Sequence, residues 1–183
     1  MQAQIFKLPN LLKIHEFSIG GLASVCKSFP RCPNTIFFGL QFAGSIGAQP
    51  SNKIKLVLQG KEIIEENAHM ANITAFEYAS INGQEVLFSG GADGMLKAWD
   101  ITGAQTPTRV RLDKISEKNF NMPITTLQMT SETFLVIGLE NGTFSGWNLV
   151  SNAFDILQAH QSPVRSLILH DKFLISGDAT DII

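Results

Sequence analysis

Residues 88–100 read Phe-Ser-Gly-Gly-Ala-Asp-Gly-Met-Leu-Lys-Ala-Trp-Asp. Two short runs of strand-forming residues flank Asp93 and Gly94, and this arrangement predicts a β-hairpin with a tight turn. Glycine adopts positive φ angles at little cost, and an aspartate side chain accepts hydrogen bonds from nearby backbone amides. Trp99 lies near the end of the second predicted strand. The segment therefore indicates antiparallel β structure with a large ring in its last strand.

The pattern of this hairpin recurs along the chain. A second copy turns at Asn141 and Gly142 and ends at Trp147, 48 residues after the first tryptophan. A third copy begins at His160, which follows His69 by 91 residues, close to two repeats. Each unit contains three short apolar or alternating runs separated by turn residues, and a fourth run precedes it. Four strands in a unit of about 40–50 residues predict repeated four-stranded antiparallel sheets.

The fourth runs and an upstream segment complete this pattern. The fourth runs are predicted at Glu62–Glu65, at roughly Arg109–Leu112 and at Phe154–Leu157. Upstream, Thr35–Leu40 and Lys53–Leu58 predict the two middle strands of an earlier, divergent sheet. No segment shows a sustained helical period, so the sequence predicts an all-β chain.

The segment Ser-Gly-Gly-Ala-Asp-Gly at residues 89–94, followed by Trp99 and Asp100, resembles the repeats of WD40 proteins. The resemblance covers about residues 62–183 and is strengthened because the copies recur in phase. It implies an all-β fold, namely a partial WD40 β-propeller built of four-stranded antiparallel blades. The expected parts are an N-terminal strand or tail (1–20), a divergent blade (21–67), a WD40 blade (68–120), a degenerate WD40 blade (121–158) and a truncated WD40 blade (159–183).

The resemblance also implies a hydrogen-bond network that links an aspartate, a histidine, a serine or threonine and the tryptophan of each blade. In the first complete unit, His69, Asp93 and Trp99 fit three of these roles. Gly91 occupies the place expected for the hydroxyl, and Ser89 is the candidate substitute. The catalytic interpretation of His69 is not favoured, because no nucleophile and base pair is evident nearby.

The later units match this network only in part. The expected network residues there are Asn141, Trp147, His160 and Ser176. In the last unit, Thr180 occupies the position of the turn aspartate. Asp178 and Asp181 could compensate, but we expect both to be solvated turn residues.

The number of blades bears on closure of the ring. Closed WD40 propellers usually contain about seven blades, whereas the pattern accounts for about three and a half. The last unit is expected to stop inside its third strand, before its tryptophan. We therefore expect that this chain alone does not close the ring, and that it is a fragment, a truncated product, or a piece completed by an oligomer or a second chain.

The composition argues against several classes of protein. Charged residues make up 16% of the chain and the net charge is −2, which gives no general attraction to nucleic acid or to an acidic membrane. The first 60 residues, however, contain six basic residues and one acidic residue. No apolar run reaches the length of about 18 residues that a membrane span requires, so no membrane association is expected.

The two cysteines, Cys26 and Cys32, are too few for a disulfide framework in a chain of this length, which indicates a reducing compartment. Their C-x5-C spacing also occurs in CCCH zinc fingers, some of which precede WD40 propellers. No cysteine lies upstream of Cys26 and no histidine follows Cys32 at short range, whereas zinc requires about four ligands. We therefore expect free thiols, no metal and no other cofactor.

The favoured function is a non-catalytic scaffold, without catalytic residues, that binds a protein or peptide partner, with a cytoplasmic location and the nucleus as the alternative. The residues expected to face the partner lie in the loops that enter the innermost strands: Asn72, Met122 and Ser162. One alternative is an RNA-associated protein related to CCCH zinc-finger WD proteins, suggested by the basic first 60 residues and the cysteine spacing. The other is a propeller enzyme, which would need converging acid, base or metal ligands.

Overall fold

The structure is a computed structural model of the 183-residue chain. It describes residues 2–7, 12–18, 21–30, 32, 35–41, 52–58, 61–102 and 112–179. All the regular secondary structure in these ranges is β-strand, which confirms the all-β prediction. The strands are β1 Gln2–Lys7, β2 Leu12–Ser18, β3 Leu22–Lys27, β4 Thr35–Gln41, β5 Asn52–Leu58, β6 Lys61–His69, β7 Ile73–Ile81, β8 Gln84–Gly91, β9 Met95–Asp100, β10 Asp113–Asn119, β11 Ile124–Ser131, β12 Phe134–Leu139, β13 Thr143–Asn148, β14 Ala153–Gln158, β15 Val164–His170 and β16 Phe173–Asp178.

The strands form antiparallel sheets in which neighbours in sequence pair. Sheet 1 contains β3–β6, sheet 2 contains β7–β10 and sheet 3 contains β11–β14, and two-stranded sheets are formed by β1–β2 and by β15–β16. The predicted middle strands of the divergent sheet are β4 and β5, which pair from Thr35↔Leu58 to Gln41↔Asn52. The four-stranded antiparallel sheets are therefore confirmed, and in the described residues they do not close into a ring.

The run predicted at roughly Arg109–Leu112 lies outside the described residues except for Leu112. The first described strand after this segment, β10, begins at Asp113. β10 is the outermost strand of sheet 2 and is exposed at most of its positions. Its sequence Asp-Lys-Ile-Ser-Glu-Lys-Asn has no alternating apolar pattern, because it has no buried face that would select one.

Both predicted tight turns are present, between β8 and β9 and between β12 and β13. Gly94 and Gly142 have φ angles of 77° and 84°, in the left-handed region that favours glycine. The Gly142 carbonyl accepts a hydrogen bond of 3.0 Å from the His160 amide. A Cβ atom at residue 142 would overlap the backbone of His160, so this turn also requires glycine for space.

The core lies between successive sheets, whose inner strands β3, β7, β11 and β15 are neighbours in chain order. Joint 1/2, between sheets 1 and 2, buries a cluster that includes Phe37, Phe76 and Trp99. Joint 2/3, between sheets 2 and 3, buries a second cluster that includes Phe88 and Ile124. Since each fully buried side chain of this size contributes about 1.5–3 kcal/mol, the packing of one sheet on the next is the main stabilising feature.

The inner strands share a bulge near their first residues, and the bulged residues are Ser24, Thr74, Thr125 and Arg165. In joint 1/2, Ser24 Oγ donates a 2.7 Å hydrogen bond to the Ile73 carbonyl. In joint 2/3, Thr74 Oγ1 donates a 2.6 Å hydrogen bond to the Ile124 carbonyl. Thr125 Oγ1 is buried and makes no hydrogen bond within the described part of the chain. The inner edges of joints 1/2 and 2/3 are thus tied in the same way.

Candidate functional site

The structure brings four of the predicted network residues together where the end of sheet 1 meets the β8–β9 hairpin of sheet 2. His69, the last residue of β6, lies with Nδ1 3.0 Å from Asp93 Oδ1 and with Nε2 2.8 Å from Ser89 Oγ. The indole Nε1–H of Trp99 donates a 2.8 Å hydrogen bond to the same Ser89 Oγ. An indole N–H only donates, so the serine hydroxyl accepts from it and can donate to Nε2, while Nδ1–H of His69 donates to Asp93. All four polar groups are satisfied together.

The carboxylate of Asp93 holds the turn as well as the histidine. It accepts hydrogen bonds from the backbone amides of Met70 at 2.9 Å and Met95 at 3.1 Å. Burial raises the pKa of Asp93, but the hydrogen bond and charge of His69 and the two amides outweigh this effect and lower the pKa to about 2. The carboxylate is therefore ionised at neutral pH and is an integral part of the folded sheet.

Gly91 has a role that the sequence did not indicate. The resemblance to WD40 repeats predicts a hydroxyl side chain at residue 91. In the structure, Ser89 supplies that hydroxyl, as the candidate substitute. A Cβ atom at residue 91 would overlap Asp93 Oδ1 and His69 Nδ1. Glycine is thus required here because the histidine and the aspartate meet directly above its backbone.

The connectivity of Ser89, His69 and Asp93 is that of a hydrolase triad, but its burial does not fit catalysis. The side chain of His69 is 0% exposed and Ser89 is also 0% exposed. Both groups are occupied by structural partners, and no substrate could reach the serine without unfolding of the sheet. The arrangement therefore stabilises the β8–β9 hairpin.

The second unit does not assemble a network. Asn141 Oδ1 accepts hydrogen bonds from the amide and hydroxyl of Thr143, at 3.2 and 2.7 Å. Trp147 Nε1 instead donates a 3.0 Å hydrogen bond to Asn152 Oδ1, at the outer edge of the sheet. The register places Ile137 opposite Ser145, where sheet 2 has Ser89 opposite residue 97, so no hydroxyl is available to the indole. Asn141 and Trp147 are therefore not partners.

An aromatic cluster replaces the network in joint 2/3. Phe120 takes the place of His69, four residues before the first residue of the next inner strand. The Trp147 ring contacts Phe88 edge-on at 5.8 Å and stacks on Phe154 at 5.2 Å. The Phe120 and Phe154 ring centroids are 6.3 Å apart. The sequence did not predict this cluster, because its four rings come from four different segments of the chain.

The third unit forms a related contact from different residues. His160 Nε2 lies 2.8 Å from Ser176 Oγ, and His160 Nδ1 lies 3.4 Å from Asp178 Oδ2. The expectation that Asp178 is a solvated turn residue was wrong. Asp178 pairs with Val164 as Gly91 pairs with Ile73, so Asp178 occupies the strand position in the β15–β16 sheet that Gly91 occupies in sheet 2. Asp181, the other candidate, lies outside the described residues together with Thr180.

The three predicted partner-facing residues differ in exposure. Asn72 is exposed, Ser162 is half-buried, and Met122 is half-buried against the aromatic and aliphatic cluster of joint 2/3. Asn72 lies in an open cleft of about 310 Å³ at the N-terminal ends of the inner strands. We call this the rim cleft; its lining includes Ser24, Asn72, Thr74, Pro123, Thr125, Glu140 and Arg165.

The remaining sequence predictions concern cysteines and membranes. Cys26 is exposed and Cys32 is buried in the joint 1/2 cluster, and neither forms a disulfide bond. Within the part of the chain that the structure describes, no three His, Cys, Asp or Glu side chains are grouped as metal ligands. In the same residues, no helix is long and apolar enough to cross a membrane.

The sequence matches no protein-family model and no curated protein. Solved structures do resemble this one. Sqt1 from Chaetomium thermophilum aligns at a TM-score of 0.69 and 18% identity over 86% of this chain and 41% of its own. The Neurospora crassa Pan2 WD40 domain aligns at 0.70 and 14% identity over 96% and 49%. The chain has a WD40-like β-propeller fold. It spans less than half of these two natural structures.

Two further structures extend the comparison of the propeller fold. The computationally designed Ika4 protein aligns at a TM-score of 0.62 and 22% identity, over 88% of both chains. A second structure of Chaetomium thermophilum Sqt1 is bound to the N-terminus of the ribosomal protein L10. It aligns at 0.68 and 18% identity over 86% of this chain and 43% of that one. At these identities the likeness concerns the fold.

Proposed function

We propose that this chain is a non-catalytic scaffold that binds a protein or peptide partner at the rim cleft. The observation that carries the proposal is the convergence of four connections, namely those before β7 and β11 and those after β8 and β12, on one open cleft of about 310 Å³. This volume accommodates a few side chains of an extended peptide. The Sqt1 structure with a bound ribosomal-protein terminus supports a peptide as the class of partner for a propeller fold.

The chemistry of the rim cleft suits a peptide. Arg165 is exposed and lies 3.7 Å from Glu140, so the cleft offers a cation and an anion whose mutual contact is weak. The side chain of Asn72 can both donate and accept hydrogen bonds, as a peptide backbone requires. These groups alternate with the apolar surface of Pro123 and provide polar and apolar contacts together.

The proposed absence of catalysis is supported by the complete burial of His69 and Ser89. A cytoplasmic location, with the nucleus as the alternative, stays a prediction, as do the RNA-associated alternative and completion of the ring by another chain. The partner is expected to be a polypeptide because the rim cleft is neutral overall, with one arginine and one glutamate among its lining residues.

The proposal can be tested with peptides selected from a random display library on the full chain. We expect Asn72→Ala and Arg165→Ala each to lower the affinity for the selected peptides by about tenfold, as for central interface residues, without a change in Tm. Glu132→Ala, in the exposed turn after β11, is the matched control and should leave both the affinity and Tm unchanged. Selected peptides that bind all three variants equally would exclude the rim cleft as the site.

Ser162 and Met122 refine the same test. Ser162→Ala should lower the affinity for the selected peptides without lowering Tm if Ser162 faces the partner. Met122→Ala should lower Tm, because Met122 packs against the joint 2/3 cluster. A loss of peptide affinity with unchanged Tm in Met122→Ala would place this residue in the binding surface.

A further inference from the structure

A second cleft lies on the outer side of the propeller fold, between sheets 2 and 3. Its volume is about 270 Å³, and we call it the side cleft. It shares no lining residue with the rim cleft. Its walls come from β9, β10, β13 and β14, and the lining residues are Leu96, Ala98, Ser116, Glu117, Lys118, Trp147, Asn152 and Phe154.

The walls of the side cleft are apolar and aromatic. Leu96 and Ala98 are buried at its base, while Trp147 and Phe154 are half-buried and form one side. The hydrogen bond from Trp147 Nε1 to Asn152 Oδ1 fixes the indole in this orientation. A half-buried tryptophan beside a half-buried phenylalanine is the kind of rigid surface that anchors partners in protein interfaces.

Lys118 supplies a positive charge at the side cleft. Its ammonium group lies 2.9 Å from the Phe154 ring centroid and 5.9 Å from that of Phe120. Among the described residues no carboxylate forms an ion pair with Lys118, whereas Glu117 lies 2.8 Å from Lys114 and 3.9 Å from Lys97. Aromatic rings attract a cation but do not neutralise its charge. Lys118 therefore retains its full charge beside an apolar surface.

The tryptophan at the corresponding position in joint 1/2 is enclosed. There the strand neighbour of Trp99 is Lys114, whereas the strand neighbour of Trp147 is Phe154. Trp99 is only 3% exposed, because its indole turns inward to Ser89. The partly exposed tryptophan that lines the side cleft thus accompanies the replacement of the network in joint 2/3.

We propose that the side cleft binds a protein or peptide partner through an acidic side chain flanked by apolar side chains. The carboxylate would pair with the Lys118 ammonium group, and an adjacent apolar side chain would pack on Trp147 and Phe154. A charge-assisted hydrogen bond at the edge of an apolar surface is stronger than one in open solvent. The unpaired lysine is complementary to one carboxylate, and the volume accommodates one or two side chains.

A polypeptide fits this site better than RNA does. Nucleic acid requires several cations along a groove to neutralise successive phosphates, and Lys118 is the one lysine among the described residues that line this cleft. The proposal does not depend on the rim cleft, because substitutions at the two clefts can be made separately.

The test uses the full chain with ¹⁵N-labelled tryptophan and two short peptides, Ac-Leu-Glu-Leu-NH₂ and Ac-Leu-Gln-Leu-NH₂. Each tryptophan gives one indole resonance, so the buried Trp99 is an internal control for Trp147. We expect the glutamate peptide to shift the Trp147 resonance saturably while the Trp99 resonance does not move. The glutamine peptide should bind about tenfold more weakly, as expected for loss of one charge-assisted hydrogen bond.

Variants of β10 separate charge from structure. Lys118→Gln should lower the affinity for the glutamate peptide by about tenfold, and Lys118→Arg should bind this peptide as tightly as the wild type does. Lys114→Gln is the matched control on the same strand and should change the affinity by less than about twofold, because Lys114 pairs with Glu117. If Lys118→Gln does not fold, two other measurements decide the question. They are the affinities of the wild-type protein for the two peptides and the salt dependence of glutamate-peptide binding by Lys118→Arg.

Three results would overturn the proposal: no saturable shift of Trp147 at millimolar peptide, equal affinity for the glutamate and glutamine peptides, or equal affinity of wild type and Lys118→Gln. A ten-nucleotide uridine RNA provides the other arm. If it shifts Trp147 at lower concentration than the glutamate peptide does, the side cleft is a nucleic-acid site and the proposal is wrong. Rim-cleft variants should leave the Trp147 response unchanged, so failure here is distinct from failure of the proposed function.

Discussion

Joints 1/2 and 2/3 place a tryptophan at the same strand position but stabilise it in different ways. Trp99 donates to Ser89 in a buried polar network, whereas Trp147 donates outward to Asn152 and packs in an aromatic cluster. Buried polar networks are favourable only when every member has a partner. Where the register puts Ile137 in place of the serine, the histidine position is also occupied by an apolar residue, Phe120. The comparison teaches that the network is retained or replaced as a unit.

The largest expected difference between the joints concerns the tryptophans themselves. Trp99→Ala should lower the free energy of unfolding by about 3–5 kcal/mol, because it removes a fully packed ring and leaves Ser89 with one partner fewer. Trp147→Ala should cost roughly 1–3 kcal/mol, since that ring is half-exposed. Urea denaturation of the two variants measures both values. Equal losses would mean that the network adds nothing to packing in joint 1/2.

The next expected difference concerns the acceptors of the two indole groups. Ser89→Ala should cost about 1–3 kcal/mol, because the Trp99 N–H and a His69 nitrogen both lose a buried partner. Asn152→Gly should change stability by less than about 0.5 kcal/mol, because the Trp147 N–H can bind water instead. Glycine is chosen because Asn152 has a φ of 55°, where alanine would be strained. Thermal unfolding followed by circular dichroism compares the pair, and similar losses would contradict the distinction.

A smaller, pH-dependent difference follows from the lowered pKa of Asp93. The pKa falls from 3.8 to about 2 on folding, so the carboxylate stabilises the fold fully above the unfolded pKa and less as the pH falls toward 2. The lowered pKa of Asp93 contributes about 2 kcal/mol to the free energy of unfolding of the wild-type protein at neutral pH. Asp93→Asn should show a flatter stability profile between pH 5 and 2. Parallel profiles for the two proteins, measured by urea denaturation, would show that the His69 contact does not stabilise the ionised form.

The sequence predicted those parts of the fold that depend on neighbouring residues. The Gly94 and Gly142 turns follow from local backbone chemistry, and the middle strands follow from short apolar runs. β10 was not among the predicted runs, because an exposed outer strand carries no apolar alternation. The contact of Asp178 with His160 was missed because the match to the repeat placed the aspartate in the turn, whereas the end of β16 supplies it.

The candidate sites were predictable to a smaller extent. Asn72 could be assigned to a loop at the inner strands, and the structure places it in the rim cleft. The side cleft could not be found in the sequence, because Lys118, Trp147 and Phe154 lie on different strands of two sheets. Their separate positions carry no pattern that distinguishes them from ordinary surface and core residues.

The sequence by itself determined an all-β chain of recurring hairpins, because alternation of apolar residues and the conformational freedom of glycine act over a few neighbouring residues. Only the tertiary structure decided which polar groups are paired and which remain available. His69 meets Asp93 across 24 residues, and Ser24 meets Ile73 across 49. Such contacts depend on the packing of one sheet against the next, which leaves Trp99 enclosed and Trp147 beside an open cleft.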